Sequence, residues 1–189
     1  MLSKSRVVVI SSVSGGGKTS LIRLLVRNHP ELWVAVTATS RAPRDEEIHG
    51  VDYFFYTEPE FQVHLKNKEF LEHAYVHGNH YGVPQGPVLE KLEQGRSVIL
   101  NIDFQGMRTV RERLKDRVVS VFILPPNREE WENRLRSRAT DSEEQIRRRL
   151  DQGELEMQVA PEYDYRVVND VLERATGEVS AILESIGAV

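Results

Sequence analysis

Ser12-Val-Ser-Gly-Gly-Gly-Lys18-Thr19-Ser20 follows an apolar β-branched run, Val7-Val-Val-Ile10, and precedes an amphipathic one, Leu21-Ile-Arg-Leu-Leu-Val26. Strand, glycine-rich loop and helix in that order form the context of a phosphate-binding loop. Consecutive glycines let backbone N–H groups converge on an anion, because no Cβ blocks the approach. The following helix adds the positive end of its dipole. In this reading Ser14, Gly15, Gly16, Gly17 and Ser20 surround a nucleoside triphosphate. Lys18 reaches its β- and γ-phosphates, and the Thr19 hydroxyl is the expected Mg²⁺ ligand. Such loops usually open on glycine; here Ser12 stands at that position, small enough for closure. A ligand-free turn would give no reason for Lys-Thr at the helix start.

The chain has 189 residues, no cysteine and a net charge of −4. That length suits one domain able to bury a core without disulfides or a structural metal. Absence of cysteine excludes a disulfide framework and a cysteine-ligated zinc site, and fits a reducing cytoplasm. Met1-Leu-Ser-Lys-Ser-Arg6 lacks a secretory apolar segment, and no apolar run is long enough to span a bilayer. The acidic balance argues against nucleic acid as a partner. Oligomeric state is not readable.

Apolar strand candidates at Val7–Ser11, Trp33–Thr37, Ser97–Asp103, Val118–Leu124 and Tyr165–Asn169 alternate with helical patterns. Those patterns cover Lys18–Asn28, Gly106–Leu114, Arg128–Arg138, Ser142–Met157 and Val171–Ile186. The alternation predicts βαβ units around a mostly parallel sheet, an α/β fold in three layers. Thr57-Glu-Pro-Glu60 reads as a capping box, and Asn127 stands three residues before Glu130. The stretch 37–86, with Tyr53-Phe-Phe-Tyr56, Phe70–His77 and a Gly78-Asn79 turn, breaks the rhythm. It reads as an inserted small mixed-β substrate-binding subdomain. The stretch 128–157, dense in charges of both signs, reads as a helical lid. The core is then 1–36, 87–127 and 158–189.

Arg41 and Arg44 in Thr39-Ser-Arg-Ala-Pro-Arg44 are candidates for bidentate phosphate binding, with the hydroxyls of Tyr53 and Tyr81 completing the site. The competing reading is a surface loop whose arginines pair with Asp45, Glu46 and Glu47. Glu72, in Phe70-Leu-Glu-His-Ala-Tyr75, carries two acceptor oxygens that match the N1–H and 2-amino donors of guanine; adenine cannot satisfy them. Otherwise it is an outward-facing strand residue. Asp103 ends a buried strand, where ligands of parallel sheets sit, or else caps the next helix. Arg134 and Arg138, one turn apart, repel unless an anion lies between them. Arg136, Arg147 and Arg148 read as a solvated face among glutamates. His73, His77 and His80 carry no accompanying signal for a metal site.

Together these motifs resemble the guanylate kinase family over essentially the whole chain. The resemblance is carried by Ser14-Gly-Gly-Gly-Lys-Thr19, Ser40-Arg-Ala-Pro-Arg44, Gly50-Val-Asp-Tyr-Phe-Phe55, Phe70-Leu-Glu72, Gly78-Asn-His-Tyr-Gly82, Ile102-Asp-Phe-Gln-Gly106, Arg134…Arg138-Ala-Thr140 and Val167-Val-Asn-Asp170. It implies transfer from ATP to GMP (with dGMP as a second acceptor) in the presence of Mg²⁺, a step of purine metabolism. It assigns the GMP phosphate to Arg41, Arg44, Tyr53 and Tyr81, and guanine to Thr37, Glu72 and Asp103. Lys18, Thr19, Arg134, Arg138 and Arg149 would serve ATP and the transferring group, and Asn169 would face adenine. Thr37 stands where Ser is common, Val83 where Ser or Thr is usual, and Asn101 where an acid is usual. The same resemblance admits a non-catalytic phosphopeptide-binding module, but such a module has no use for Lys18-Thr19 and the lid arginines.

Overall fold

The computed structural model describes residues 5–76, 78–137 and 142–189. The chain runs β1 (Val7–Ser12), α1 (Lys18–Asn28), β2 (Trp33–Val34), β3 (Ala38–Thr39), β4 (Phe54–Phe55), α2 (Glu58–Lys66), β5 (Phe70–Val76) and β6 (Asn79–Pro84). It continues with α3 (Gln85–Glu93), β7 (Val98–Asn101), α4 (Phe104–Leu114), β8 (Val118–Leu124), α5 (Arg128–Arg136), α6 (Glu143–Met157), β9 (Tyr165–Val168) and α7 (Leu172–Ser185).

Five strands form a parallel sheet in the order β2-β7-β1-β8-β9. Side chains alternate across β1, and every residue from Val7 to Ile10 is fully buried, because both faces are covered. Val8 and Ile10 pack with Leu21, Ile22 and Leu25 of α1 and Ala175, Val179 and Leu183 of α7. Val7 and Val9 pack on the other face with Val88, Leu92, Met107 and Val110 of α3 and α4. Trp131 and Leu135 of α5 and Ile146 and Leu150 of α6 extend that second cluster. The result is the expected three-layer α/β arrangement. No helix among the described residues is long and apolar enough to cross a membrane.

A second, mixed sheet has the order β4-β3-β6-β5, with β3 parallel to β4 and antiparallel to β6. The expected core strand Trp33–Thr37 is divided here. Trp33 and Val34 pair with β7, while the Thr37 carbonyl accepts from Phe54 N at 2.9 Å and leads the chain into the small sheet. The small sheet holds its own cluster of Ala38, Phe61 and Phe70.

Both capping signals form. Thr57 and Glu60 make the reciprocal capping box of α2, and Asn127 accepts from Glu130 N at 2.8 Å. Helix α4 starts two residues earlier than its apolar pattern, at Phe104, because the Asp103 carboxylate accepts from Gln105 N and Gly106 N, each at 3.0 Å.

Candidate functional site

The loop between β1 and α1 encloses a cavity of about 220 Å³ lined by residues 12–20. It closes through Gly16 N donating to the Val13 carbonyl at 3.0 Å. Gly17 takes φ 90°, and a Cβ there would fall 2.1 Å from Asn169 Nδ2, so both conformation and space require glycine. A Cβ on Gly16 would meet Ser12 Cβ at 3.0 Å; glycine at 16 is what makes room for serine at 12. Helix α1 has no acidic residue in its first turn, so nothing in that turn offsets its positive end. Thr19 and Ser20 are exposed there. Lys18 is half-buried. Burial pushes its ammonium down to about 8, against the opposing pull of Asp103 and Glu156.

Lys18 also lines a second cleft of about 200 Å³, walled by Thr37, Tyr53, Glu72, Tyr81 and Asp103, with Asn101 at the end of β7. Five of the seven residues assigned to GMP thus converge on one cavity from β5, β6, the end of β7 and the loops around the small sheet. The pairing of β5 with β6 shifts register between Phe70 and Glu72. A bulge re-aims the residues beside it. Phe70, Leu71 and Glu72 are consequently all buried, and alternation resumes afterwards, with Ala74 and Val76 on the cleft wall beside Glu72. Arg113 of α4 donates to the Phe70 carbonyl at 3.0 Å and holds the bulge from outside.

Glu72 is 3% exposed, which rules out the outward-facing reading. Burial first, and the Asp103 carboxylate second, push its carboxyl up to about 8; a bond from Val83 N and the charge of Arg113 oppose this. The Val83 departure leaves its backbone contact with Glu72 in place. Gly106 lies against this carboxylate: a Cβ there would stand 2.6 Å from Glu72 Oε2. Asp103 both caps α4 and lines the cleft, so its two readings are compatible.

Arg41 and Arg44 are placed differently from the cleft residues. Arg41 Nη1 and Nη2 donate to Glu47 Oε2 and Oε1 at 3.0 and 2.8 Å, and the guanidinium lies 5.5 Å from the Tyr53 ring centre. The bond to Glu47 first, and one with Tyr81 after it, hold the Arg41 pKa above its ordinary value. Arg44 is exposed, and its backbone N donates to Glu47 at 2.8 Å. The loop therefore realises the pairing reading through Glu47 alone, with Arg41 at the edge of the cleft beside both tyrosines. Thr37, 8% exposed, sits at the junction of the sheets.

Three residues assigned from the sequence to ATP meet the phosphate loop from outside. Arg149 donates to Ser14 Oγ at 3.1 Å, and Arg134, paired with Glu130 at 3.1 Å, has a terminal nitrogen 3.9 Å from a Cβ built on Gly17. Asn169, expected at adenine, is 4% exposed, and its Nδ2 donates to the Gly16 carbonyl at 2.9 Å. Arg138 and His77 lie outside the described residues. Arg136 pairs with Glu132 and Glu143, and Arg148 with Glu144, as a solvated face would. Among the described residues no three His, Asp or Glu side chains gather as a metal cage. Trp131, unassigned from the sequence, donates its indole N–H to the Ser14 carbonyl at 2.7 Å. Its one sequence signal is an aromatic ring four residues before Leu135 on a helix otherwise polar.

Residues 4–186 match the family described as guanylate kinase. The chain is 47% identical over 177 residues to a guanylate kinase of Paramagnetospirillum magneticum, covering 94% of this chain and 83% of that protein. It is 46% identical over 170 residues to a guanylate kinase of Thermosynechococcus vestitus, covering 90% of this chain and 88% of that protein. The crystal structure of guanylate kinase from Anaplasma phagocytophilum superposes with a TM-score of 0.80 at 33% identity, covering 97% and 86% of the two chains.

Proposed function

The chain belongs to the guanylate kinase family, and on that premise we propose how its two cavities divide the reaction. The protein is an ATP-dependent nucleoside monophosphate kinase that phosphorylates GMP. The loop of residues 12–20 takes the ATP phosphates, and the adjoining cleft takes GMP. The observation that carries this division is Lys18, which lines both cavities. A donor phosphate and an acceptor phosphate placed in them meet at one cationic side chain.

Glu72, ionised, accepts the guanine N1–H and 2-amino protons, with Thr37 and Asp103 beside the base. Arg41, Tyr53 and Tyr81 face the α-phosphate, and Arg44 joins them by side-chain rotation from its exposed position. Glu47 keeps the Arg41 guanidinium fixed at the cleft edge, so little rotamer freedom remains to be lost when the phosphate arrives. A phosphate oxygen of GMP attacks the γ-phosphorus of ATP in line. The bond to the β–γ bridging oxygen breaks, and ADP leaves with that electron pair. Lys18 and the lid arginines Arg134 and Arg149 offset the charge spread over the transferring oxygens; Arg138 is assigned with them from sequence. None of these contacts needs a ribose 2′-hydroxyl, so dGMP is a second acceptor.

The exposed Thr19 hydroxyl, at the mouth of the loop cavity, suits a magnesium ion that keeps its waters and arrives on the nucleotide, since such an ion uses only one or two protein oxygens. That ion would neutralise the β- and γ-phosphates. Residues 37–86 act as the GMP-binding region and 128–157 as the lid over a core made of the rest. The phosphopeptide-binding alternative is not favoured.

The test is ADP release with GMP, dGMP, AMP, UMP and CMP as acceptors. Turnover with GMP and dGMP, and little with the others, is expected. Equal turnover with AMP would overturn the role given to Glu72.

A further inference from the structure

Trp131 is 1% exposed and seated on bare backbone: a Cβ built on Gly153 of α6 would lie 2.3 Å from the indole Cζ2. A buried indole N–H needs an acceptor. This one finds the Ser14 carbonyl in the phosphate loop, at 2.7 Å. Two residues along, the Gly16 carbonyl is held at 2.9 Å by Asn169. Trp131 comes from the lid side and Asn169 from the end of β9, and neither lines the loop cavity.

A trans peptide is planar, with its C=O and N–H on opposite edges. There are no cis peptides among the described residues. Holding the Ser14 carbonyl outward therefore turns the Gly15 N–H the other way. Holding the Gly16 carbonyl outward does the same for Gly17 N–H. Glycine peptides rotate with little steric resistance. A peptide flipped by half a turn would aim an oxygen at the nucleotide in place of an N–H.

We propose that Trp131 is a positioning residue for ATP, clamping the outer edge of the Ser14–Gly15 peptide so that Gly15 N–H faces the phosphates, with Asn169 doing the same for Gly17. The proposal rests on the kinase reading of the loop. It ties formation of the phosphate site to seating of the lid helix α5. Gly153 is part of the device, since it gives the ring its seat.

The test follows the Gly15 and Gly17 amide resonances of ¹⁵N-glycine-labelled protein while ADP is added without divalent metal. In the wild-type chain both move downfield. Trp131→Phe keeps the ring and removes the donor: Gly15 should lose most of its shift, Gly17 should keep its own, and ADP affinity should fall about tenfold. GMP affinity should be unchanged, which also reports that the variant is folded. Gly153→Ala, which displaces the ring while leaving its N–H, should reproduce the selective loss at Gly15. An unchanged Gly15 shift and ADP affinity in either folded variant overturns the clamp. A wild-type chain in which neither glycine responds overturns the phosphate-loop reading itself, and the clamp with it.

Discussion

Burial moves two side chains of the cleft away from their ordinary titration ranges, in opposite senses. Glu72, up near 8, is largely protonated at neutral pH in the empty site, yet guanine recognition needs its carboxylate. Lys18, down near 8, is still mostly charged there, and phosphate binding needs that charge. The sign follows for each substrate. kcat/KM for GMP, measured at saturating ATP, should rise with pH and level off above about 8. kcat/KM for ATP, at saturating GMP, should fall as pH passes about 8. Parallel profiles for the two substrates would contradict this. Glu72→Gln should flatten the GMP profile and cost roughly 2–4 kcal/mol in kcat/KM for GMP, because the amide sets donors against donors. The same variant should be more stable. A carboxyl whose pKa is raised on folding loses stability as pH climbs from its unfolded value to its folded one. The neutral amide escapes that loss, so thermal scans at pH 8 should show a melting point a few degrees higher. Lys18→Ala should lower kcat by at least ~10³, since its charge is aimed at the transferring group; near-normal kcat would refute the loop's role.

Glu72 owes its position to elements more than to its own preference. The bulge in β5 turns it inward, Arg113 of α4 pins the bulge, and Gly106 in the first turn of α4 leaves room for the carboxylate. Gly106 is the tightest part of this arrangement, because its neighbour is a buried carboxyl group with little freedom to retreat. Gly106→Ala improves helix propensity by about 1 kcal/mol, so simple destabilisation is not the expected result. It should push Glu72 out of line and raise KM for GMP while leaving KM for ATP near normal. A steady-state comparison of the two KM values decides it, and equal effects on both would point to a general disturbance of α4.

At the scale of the whole molecule, both regions flanking the site are packed on the core. Helices α5 and α6 put Trp131, Leu135, Ile146 and Leu150 into the same apolar cluster as the core sheet. The small sheet puts Leu71 of β5 and Val83 of β6 into that cluster too, and keeps a second one of its own, Ala38, Phe61 and Phe70. Bound nucleotides supply the differential contacts that closure requires, and closure keeps water from the γ-phosphate. An ATP analogue plus GMP should therefore compact the protein more than either ligand alone. Small-angle scattering on the free, singly and doubly liganded chain measures this, and identical radii in all four states would reject closure.

The phosphate loop, the βα alternation of the core and the helix caps were legible in the sequence, because each depends on residues within a few positions of one another. Ser12 to Ser20 carries its own strand and helix on either side, and Thr57 and Glu60 cap within one turn. Tertiary structure alone decided what the chemistry-bearing residues touch. Whether Glu72 faced water or a cleft depended on a register shift against β6 and on α4 passing behind it. Arg41 could not be placed until one of three nearby acids, Glu47, took its fork. Asn169 and Trp131 meet the loop from 153 and 117 positions away along the chain. Backbone preference is set locally, whereas burial and the pKa shifts it causes are set by whichever distant segments the fold packs against a side chain.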